Sequence, residues 1–289
     1  MSSAPILDGT TLPDVGHWSD RVVVALGQNP NAFTGPGTNT YLVGTGRSRI
    51  LLDTGSGRDA YLPVLERAMQ EAGCDAIQEV VVTHGHPDHL GGARSVLGHF
   101  GDLRVSKRPW PGVDEEFSVE LTPIDEGDVI RTEGGTLRAI HTPGHAPDHL
   151  CFVLEEEGAV FSGDNVLGIG TTVIPVGTGS LTDYMRSLER LRSEAPSRIY
   201  PAHGPVVEAG TAKVEEYIAH RRGRERQILA VLEEGPKNVM GIVRVVYAAY
   251  PEHLYRAAAQ SVTQHLQKLA RDERAESDGD DEGAVWRLR

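Results

Sequence analysis

The segment at residues 83–89 constrains the fold of this chain more than any other part of its 289 residues. It reads Thr-His-Gly-His-Pro-Asp-His and directly follows three valines at 80–82. A strand holds the side chains at its end rigidly, so a short loop leaving it can direct His84 and His86 at one metal ion and Asp88 and His89 at a second. Imidazole and carboxylate are ligand types that zinc accepts in proteins. The pattern therefore predicts a metal site at the end of a strand.

Further ligands are expected later in the chain, because four side chains cannot fill two coordination shells. Three candidates stand where other apolar runs give way to Gly or Pro, namely a histidine after Thr-Pro-Gly, an aspartate after Phe-Ser-Gly and a histidine after Tyr-Pro-Ala. A single histidine is more often structural than ligating, but the ordered set is far more specific. We therefore predict one metal held by His84, His86 and His145, a second held by Asp88, His89 and His203, and Asp164 as the bridging ligand.

This ordered set resembles the metallo-β-lactamase superfamily of dinuclear hydrolases over about residues 20–210. Within it, Gly-Thr-Asn-Thr-Tyr-Leu-Val-Gly at 37–44, Leu-Asp-Thr-Gly at 52–55 and Thr-Pro-Gly-His at 142–145 are similar to the lactamase-β-like endoribonucleases of animals. Related bacterial hydrolases and fungal polyketide thioesterases share these motifs. The resemblance implies an α/β fold, the αββα sandwich. It also implies two Zn2+ ions, with other divalent transition metals possible, and it specifies the substrate poorly because one fold hosts many reactions.

The expected chemistry needs no nucleophilic side chain. Two cations about 3.5–4 Å apart can share one water and lower its pKa towards 7, so a metal-bridging hydroxide would attack the substrate. In this scheme Asp88 and Asp164 are catalytic through the metals, since Asp164 fixes their separation. His149 is a candidate proton donor, and a hydrogen-bonded core histidine is an equally good interpretation.

Other polar residues are candidates for supporting roles. Asp53, at a strand end, is expected to orient a ligand histidine from behind, as carboxylates commonly do; a turn-capping role is the alternative. Thr171 and Thr172 follow a Gly-Ile-Gly segment and are expected to line the cleft. Tyr184 either reaches the cleft or packs on a helix.

Short apolar runs bounded by turn residues predict strands. They lie at 22–26, 40–43, 50–52, 80–82, 129–131, 137–140, 150–154 and 159–161. Helical spacing near residues 61–69 and 184–191 predicts helices that cover the sheets. Residues 100–126 are Pro-rich and irregular, and their Lys107, Arg108 and Trp110 either flank the cleft or lie on a solvated loop. Residues 1–20 show little periodicity and are expected to lie over the body.

The pattern changes beyond residue 210. Helical spacing at 216–233, 239–249 and 254–269 is followed by an acidic stretch and then by Val-Trp-Arg at 285–287. Helices followed by an extended hairpin resemble the winged-helix domain that accompanies lactamase-like enzymes. We therefore predict a catalytic domain at 1–212 and a winged-helix-like domain at 213–289.

The formal net charge of −13 is confined to one part of the chain. Residues 1–212 contain 15 Lys and Arg against 28 Asp and Glu, whereas residues 213–289 contain 13 of each. Non-specific nucleic-acid binding depends on neutralising phosphates, so an acidic body disfavours it. It does not forbid a focused basic groove.

The sequence predicts a cytoplasmic protein with no membrane association. No apolar run approaches the roughly 18 residues of a membrane span, and the first 12 residues lack the basic and apolar segments of a signal peptide. Cys74 and Cys151 are far apart and outside any Cys-x-x-Cys spacing, so reduced thiols are expected. Nothing in the sequence specifies an oligomeric state.

Two functions are compatible with these features. The first is a small-molecule hydrolase that opens an ester, thioester or lactam, which the acidic body favours. The second is an endoribonuclease that cuts single-stranded RNA, supported by the family resemblance and by four arginines on one expected helix: Arg221, Arg222, Arg224 and Arg226. An ion-paired, solvated helix face explains such a cluster without RNA.

Overall fold

The computed structural model describes residues 10–279 and 283–289. Its first sheet consists, in order across the sheet, of β1 (Val15–Ser19), β2 (Val22–Leu26), β3 (Asn39–Val43), β4 (Ser48–Leu52), β5 (Ala76–Val82), β6 (Val105–Lys107) and β7 (Thr122–Pro123). Strands β1 to β4 are antiparallel, whereas β4 to β7 are parallel. Part of the segment expected to lie over the body thus forms β1, because its backbone pairs with the edge of β2.

The second sheet is smaller. It consists of β8 (Val129–Thr132), β9 (Gly135–His141), β10 (Leu150–Leu154), β11 (Ala159–Gly163) and β12 (Ile199–Pro201) in consecutive order. All neighbours are antiparallel except β11 and β12, which are parallel. The helices in this part of the chain are α1 (Tyr61–Glu71), α2 (Pro87–Leu90), α3 (Ala93–Phe100) and α4 (Leu181–Ser193).

Alternating side chains divide the core into layers. In β2, Val22 and Val24 point between the sheets, whereas Val23 and Ala25 point towards α1 and α3. The inter-sheet layer includes Phe152, which is fully buried. Burying a side chain of this kind contributes about 1.5–3 kcal/mol relative to exposure. A further apolar layer lies between the second sheet and α4. The predicted αββα sandwich is confirmed.

A helical domain follows the sandwich. It contains α5 (Gly210–Glu233), α6 (Val239–Val246) and α7 (Tyr255–Arg271), and a sheet in which β15 (Val285–Leu288) lies between β13 (Lys237–Asn238) and β14 (Ala275–Ser277). These elements share a separate apolar core that includes Ile228, Ile242 and Leu266. The predicted winged-helix-like domain is confirmed, while residues 280–282 of its expected hairpin lie outside the described residues.

Helix α5 belongs to both cores. Its first half places Val214 and Tyr217 against the second sheet and α4, whereas its second half places Ile228 and Leu232 in the core of the helical domain. The helix therefore runs without interruption across the predicted boundary between residues 212 and 213. The boundary itself stays a prediction.

Two further expectations concern the cysteines and membranes. Cys74 and Cys151 are both buried and unpaired. Among residues 10–279 and 283–289, no helix is long and apolar enough to cross a membrane.

Candidate metal centre

The connection after β5 delivers the first candidate ligands. Pro87 occupies the start of α2, where its fixed φ and missing N–H suit the first helical position. Asp88 and His89 follow within this single turn. Gly92 then lets the chain pass close to the end of β4, since a Cβ there would lie 2.0 Å from the carbonyl oxygen of Thr54. The short turn fixes where both ligands point.

Three imidazole nitrogens converge on one side of the site. Nε2 of His84 lies 3.0 Å from Nδ1 of His86, and Nε2 of His145 lies 2.9 Å from the same atom. His84 follows a strand of the first sheet, whereas His145 lies between β9 and β10 of the second. The structure thus brings together the three residues predicted for one metal, and both sheets contribute.

A second group lies beside the first. The Oδ2 atom of Asp88 is 3.5 Å from Nε2 of His89 and 3.3 Å from Nε2 of His203. His203 follows β12, the neighbour of β11 in the second sheet. The three ligand atoms lie within 4.8 Å of one another. This is the set predicted for the other metal.

The carboxylate of Asp164 lies between the two groups. Its Oδ1 is 3.1 Å from Nε2 of His203 and 3.5 Å from Nε2 of His89. Its Oδ2 is 3.4 Å from Nε2 of His145. Each oxygen therefore faces a different group, which is the arrangement that a bridging carboxylate requires.

Polar groups behind the histidines fix the orientation of their rings. Nδ1 of His89 donates to Oδ2 of Asp53 at 2.8 Å, and Nδ1 of His145 donates to the carbonyl oxygen of Val173 at 2.7 Å. The hydroxyl of Thr83 lies 3.0 Å from Nδ1 of His84 and donates to Asp53. Because Nδ1 carries the proton in these pairs, Nε2 is left to face the cluster.

Burial and charge separate the two groups electrostatically. Burial, together with neighbouring imidazoles, holds the pKa of His84 well below its usual value and lowers that of His86 to about 4. Burial also opposes protonation of His203, but the carboxylates of Asp164 and Asp88 outweigh it and raise its pKa to about 9. His84 and His86 are thus neutral nitrogen donors at pH 7, whereas His203 lies in the negative field of two carboxylates.

The donor chemistry fits divalent metal ions. Nε2 of His89 and Oδ1 of Asp164 are buried, and neither has a hydrogen-bond partner among the described residues. Leaving buried polar atoms unpaired costs about 1–3 kcal/mol each. A cation between them would satisfy both, and imidazole with carboxylate is a donor set that zinc and related transition metals accept.

His149 does not occupy the position expected of a proton donor. It is fully buried, and its Nε2 accepts a hydrogen bond of 3.0 Å from the backbone N–H of Asp164. Its Nδ1 lies 3.1 Å from the hydroxyl of Thr142. Burial holds its pKa well below the usual value. The structure therefore favours the interpretation of His149 as a core histidine. Its ring positions Asp164 by accepting the hydrogen bond from the backbone N–H of that residue.

A buried ion pair behind the site was missed in the sequence. Nζ of Lys107 lies 2.7 Å from Oδ2 of Asp148 and 2.7 Å from Oδ1 of Asp114. The same oxygen of Asp148 accepts a hydrogen bond from the N–H of Gly85, between the first two candidate ligands. The sequence suggested that Lys107 either flanks the cleft or lies on a solvated loop. Both interpretations are wrong for this residue, because its side chain is fully buried. It fixes the backbone of the histidine loop.

The loop that carries His203 is held by β3. The side-chain amide of Asn39 donates to the carbonyl oxygens of Pro201 at 2.9 Å and Gly204 at 2.8 Å. The hydroxyl of Tyr41 also donates to the oxygen of Pro201, at 2.6 Å. Sequence reasoning missed this role, although a polar asparagine beginning an apolar strand was a detectable signal.

An open cavity leads to Asp164, His145 and His203. Its other lining residues are apolar or small: Ala32, Phe33, Leu167, Thr171, Thr172 and Val173. The predicted placement of the two threonines agrees with this lining. Tyr184 is instead buried and donates to the carbonyl oxygen of Asn165. Trp110 lies beside His86, with ring centroids 5.8 Å apart, whereas Arg108 pairs with Asp125.

Comparisons with known proteins agree with this architecture. Residues 33–203 match the metallo-beta-lactamase superfamily, and residues 239–286 match the beta-lactamase associated winged helix domain. The beta-lactamase-like protein 2 homolog of Drosophila melanogaster is 40% identical over 273 residues, covering 90% of this chain and 91% of the relative.

Two other relatives extend the comparison. An atrochrysone carboxyl ACP thioesterase of Aspergillus chevalieri is 40% identical over 273 residues, covering 90% of this chain and 84% of the relative. The crystal structure of a beta-lactamase domain protein from Burkholderia ambifaria has a TM-score of 0.81 at 21% identity, covering 99% of this chain and 96% of that one, and shows the common fold. This chain therefore belongs to the metallo-β-lactamase superfamily, as a hydrolase whose fold binds divalent metals and which carries the associated winged-helix domain.

Proposed function

We propose that the protein is a two-metal hydrolase that opens a thioester or related acyl bond of a small molecule. The observation that carries the proposal is the position of Asp164, whose two carboxylate oxygens face different groups of candidate ligands. The proposed ligands are His84, His86 and His145 on one side, Asp88, His89 and His203 on the other, and Asp164 between them. Zinc suits this nitrogen-rich set.

The residues divide the work of the reaction. When bound, divalent cations lower the pKa of a coordinated water and polarise an acyl carbonyl. Asp164 sets the spacing of the two proposed metal positions, and Asp88 supplies negative charge to only one of these positions. Asp53 keeps the proton of His89 on the ring nitrogen that points away from the cluster. The chain thus supplies ligands, orientation and an open face towards the cavity.

The cavity supports a small acyl substrate. Phe33 is 65% exposed and, with Leu167 and Val173, presents apolar surface next to Asp164. Apolar walls with a few polar groups are typical of small-molecule sites. The acidic body disfavours a polyanion. One of the relatives carries the name of a thioesterase, which is the same class of reaction.

The arginine cluster supports the RNA alternative less well. Arg221 is buried, Arg222 pairs with Glu189 at 2.8 Å, and the guanidinium of Arg224 lies 4.1 Å from the ring centroid of Tyr247. Within this cluster, three of the four side chains are therefore engaged in protein contacts. The buried Arg221 is not presented to a long RNA strand, and the contacts of Arg222 and Arg224 compete with binding to the RNA backbone, as on an ion-paired helix face.

The test combines metal analysis with a substrate panel. Protein purified without chelator is analysed for metal and assayed with acyl thioesters, esters, a lactam and a labelled single-stranded RNA. We expect close to two transition-metal ions per chain and fastest hydrolysis of a thioester. Asp164→Ala should abolish this activity by removing the bridge, while Asp102→Ala, at an exposed position before β6, should retain it.

The outcomes separate the parts of the proposal. Normal turnover by Asp164→Ala, with folding checked by circular dichroism, would remove the proposed site. Full activity with a single ion per chain would contradict the two-metal arrangement. Turnover of RNA alone would replace the small-molecule substrate with the endoribonuclease alternative.

A further inference from the structure

A second cleft lies away from the metal centre, between α4, α5 and α7. It has a volume of about 460 Å³, and its lining includes Thr182 of α4, Arg221 of α5 and His265 of α7. Helix α4 covers the sandwich, whereas α7 belongs to the helical domain. The cleft therefore lies where the two parts of the molecule meet.

Arg221 is the unusual residue of this cleft. It is only 6% exposed, yet no carboxylate of the described residues lies within ion-pair distance of its guanidinium. Its Nη2 donates to the carbonyl oxygen of Thr172 at 2.6 Å, and the ring centroid of Tyr184 lies 5.3 Å away. Its buried Nε has no hydrogen-bond partner among those residues. A buried charge without a counter-ion is unfavourable, so an anion here would stabilise it.

Two other donors accompany Arg221. His265 is 1% exposed, and neither of its ring nitrogens has a hydrogen-bond partner in the described part of the chain. Burial, together with Arg221 and other nearby cations, lowers its pKa to about 3, so the ring is neutral at pH 7 and can donate from one nitrogen. The hydroxyl of Thr182 is likewise buried and unpartnered among these residues.

The acidic residues of the cleft do not supply the missing counter-ion. Glu189 pairs with Arg222 at 2.8 Å, and Glu225 and Asp272 both pair with Lys268, at 2.7 and 2.6 Å. Each carboxylate is thus committed to another cation. The positive charge of Arg221 remains uncompensated inside the cleft.

We propose that this cleft binds a phosphate group on Arg221, His265 and Thr182. A tetrahedral oxyanion accepts hydrogen bonds from several directions at once, which suits donors contributed by three different helices. The phosphate would come either from the free inorganic ion or from a small phosphomonoester. The site is separate from the proposed hydrolytic function, because none of its three donors is a candidate metal ligand.

The experiment measures stabilisation of the full-length, metal-loaded protein by inorganic phosphate, with sodium chloride at matched ionic strength as the reference. Binding to the folded state raises the melting temperature in a saturable way. We expect His265→Leu and Thr182→Val each to weaken the apparent Kd for phosphate by about tenfold or more, as loss of a hydrogen bond to a charged group does. Arg221→Gln should abolish the effect.

The matched control is Arg226→Gln, since Arg226 is exposed on the same helix and does not line the cleft. It should bind phosphate like the wild type. The Asp164→Ala variant distinguishes this cleft from the metal centre, which can also bind phosphate, and should retain the stabilisation. Glycerol phosphate tests whether the ligand is a small phosphomonoester. If glycerol phosphate binds more tightly than inorganic phosphate, a phosphomonoester is the ligand.

Three results would overturn the proposal. The wild type could show no stabilisation by phosphate beyond that of chloride. Stabilisation by phosphate could survive unchanged in both His265→Leu and Thr182→Val. These two variants keep the test decisive even if Arg221→Gln does not fold. It could also vanish in Asp164→Ala alone, which would assign the phosphate to the metal centre.

Discussion

Asp53 shows how one residue serves the backbone and the site together. Its φ is +61°, a conformation that Asp and Asn adopt more readily than most other residues. This places one carboxylate oxygen 2.8 Å from the backbone nitrogen of Thr83 and the other 2.8 Å from Nδ1 of His89. The position therefore needs a short polar side chain for the turn and a carboxylate for the histidine.

Asp53→Asn separates these two requirements. Asparagine tolerates the backbone conformation but removes the negative charge behind His89, and loss of such a partner typically weakens metal affinity by about 10–100-fold. We expect a decrease of this size in competitive titration against a chromophoric chelator. Asp102→Asn, at an exposed position, serves as the control. An unchanged affinity in Asp53→Asn would show that the contact does not support the metal.

At the scale of elements, the end of β6 holds the histidine loop through a buried cation. Lys107 lies between Asp148 and Asp114, and Asp148 in turn accepts from the N–H of Gly85. Burial raises the pKa of Asp148, while Lys107 opposes that shift. The first sheet is thus linked by charge to the connection between β9 and β10.

Removing the cation should destabilise the whole sandwich. Lys107→Met leaves Asp148 buried without its partner, and breaking a buried ion pair in this way costs about 3–5 kcal/mol. We expect a loss of this size in urea unfolding of the full-length protein. The double variant Lys107→Met/Asp148→Asn should recover part of it, because no charge then remains on Asp148.

The control for this prediction is Arg104→Met, an exposed cation just before the same strand. Exposed substitutions of this kind usually change stability by less than about 0.5 kcal/mol. Equal effects of Lys107→Met and Arg104→Met would contradict a special role for the buried pair.

At the scale of the whole molecule, the candidate ligands join the two sheets. His84 to His89 follow β5 of the first sheet, whereas His145, Asp164 and His203 follow or connect strands of the second. Ions held by both sets bind only the folded chain. Metal should therefore contribute to global stability as well as to catalysis.

Chelation tests this coupling. A free metal concentration of a thousand times Kd stabilises the folded state by about 4 kcal/mol. Since each kcal/mol corresponds to roughly 2 °C in a domain of this size, we expect verified metal removal to lower the melting temperature by about 8 °C in calorimetry. The same treatment of Asp164→Ala should produce a smaller shift. A wild-type melting curve that stays the same after removal would count against the ligand assignment.

The sequence indicated the sandwich, through its resemblance to a known family, and a set of candidate ligands that the structure places together; their role in metal binding stays a prediction. Each ligand lies where an apolar run ends in Gly or Pro, and this is a local pattern, so His84 and Asp164 could be picked out without knowing what surrounds them. Strands such as β2 were predictable for the same reason, because consecutive valines bounded by turns favour a buried strand.

The roles of several other residues were decided only by tertiary structure. Lys107 precedes arginine in a Pro-rich stretch and looks solvated, yet a parallel strand carries it into the interior between two aspartates. His149 follows a candidate ligand but faces the backbone of Asp164, and Arg221 lies in a basic run but is buried against Thr172. Residue spacing specifies which side chains share an element. Which face of that element is buried, and against which distant residue, depends on contacts far apart in the sequence.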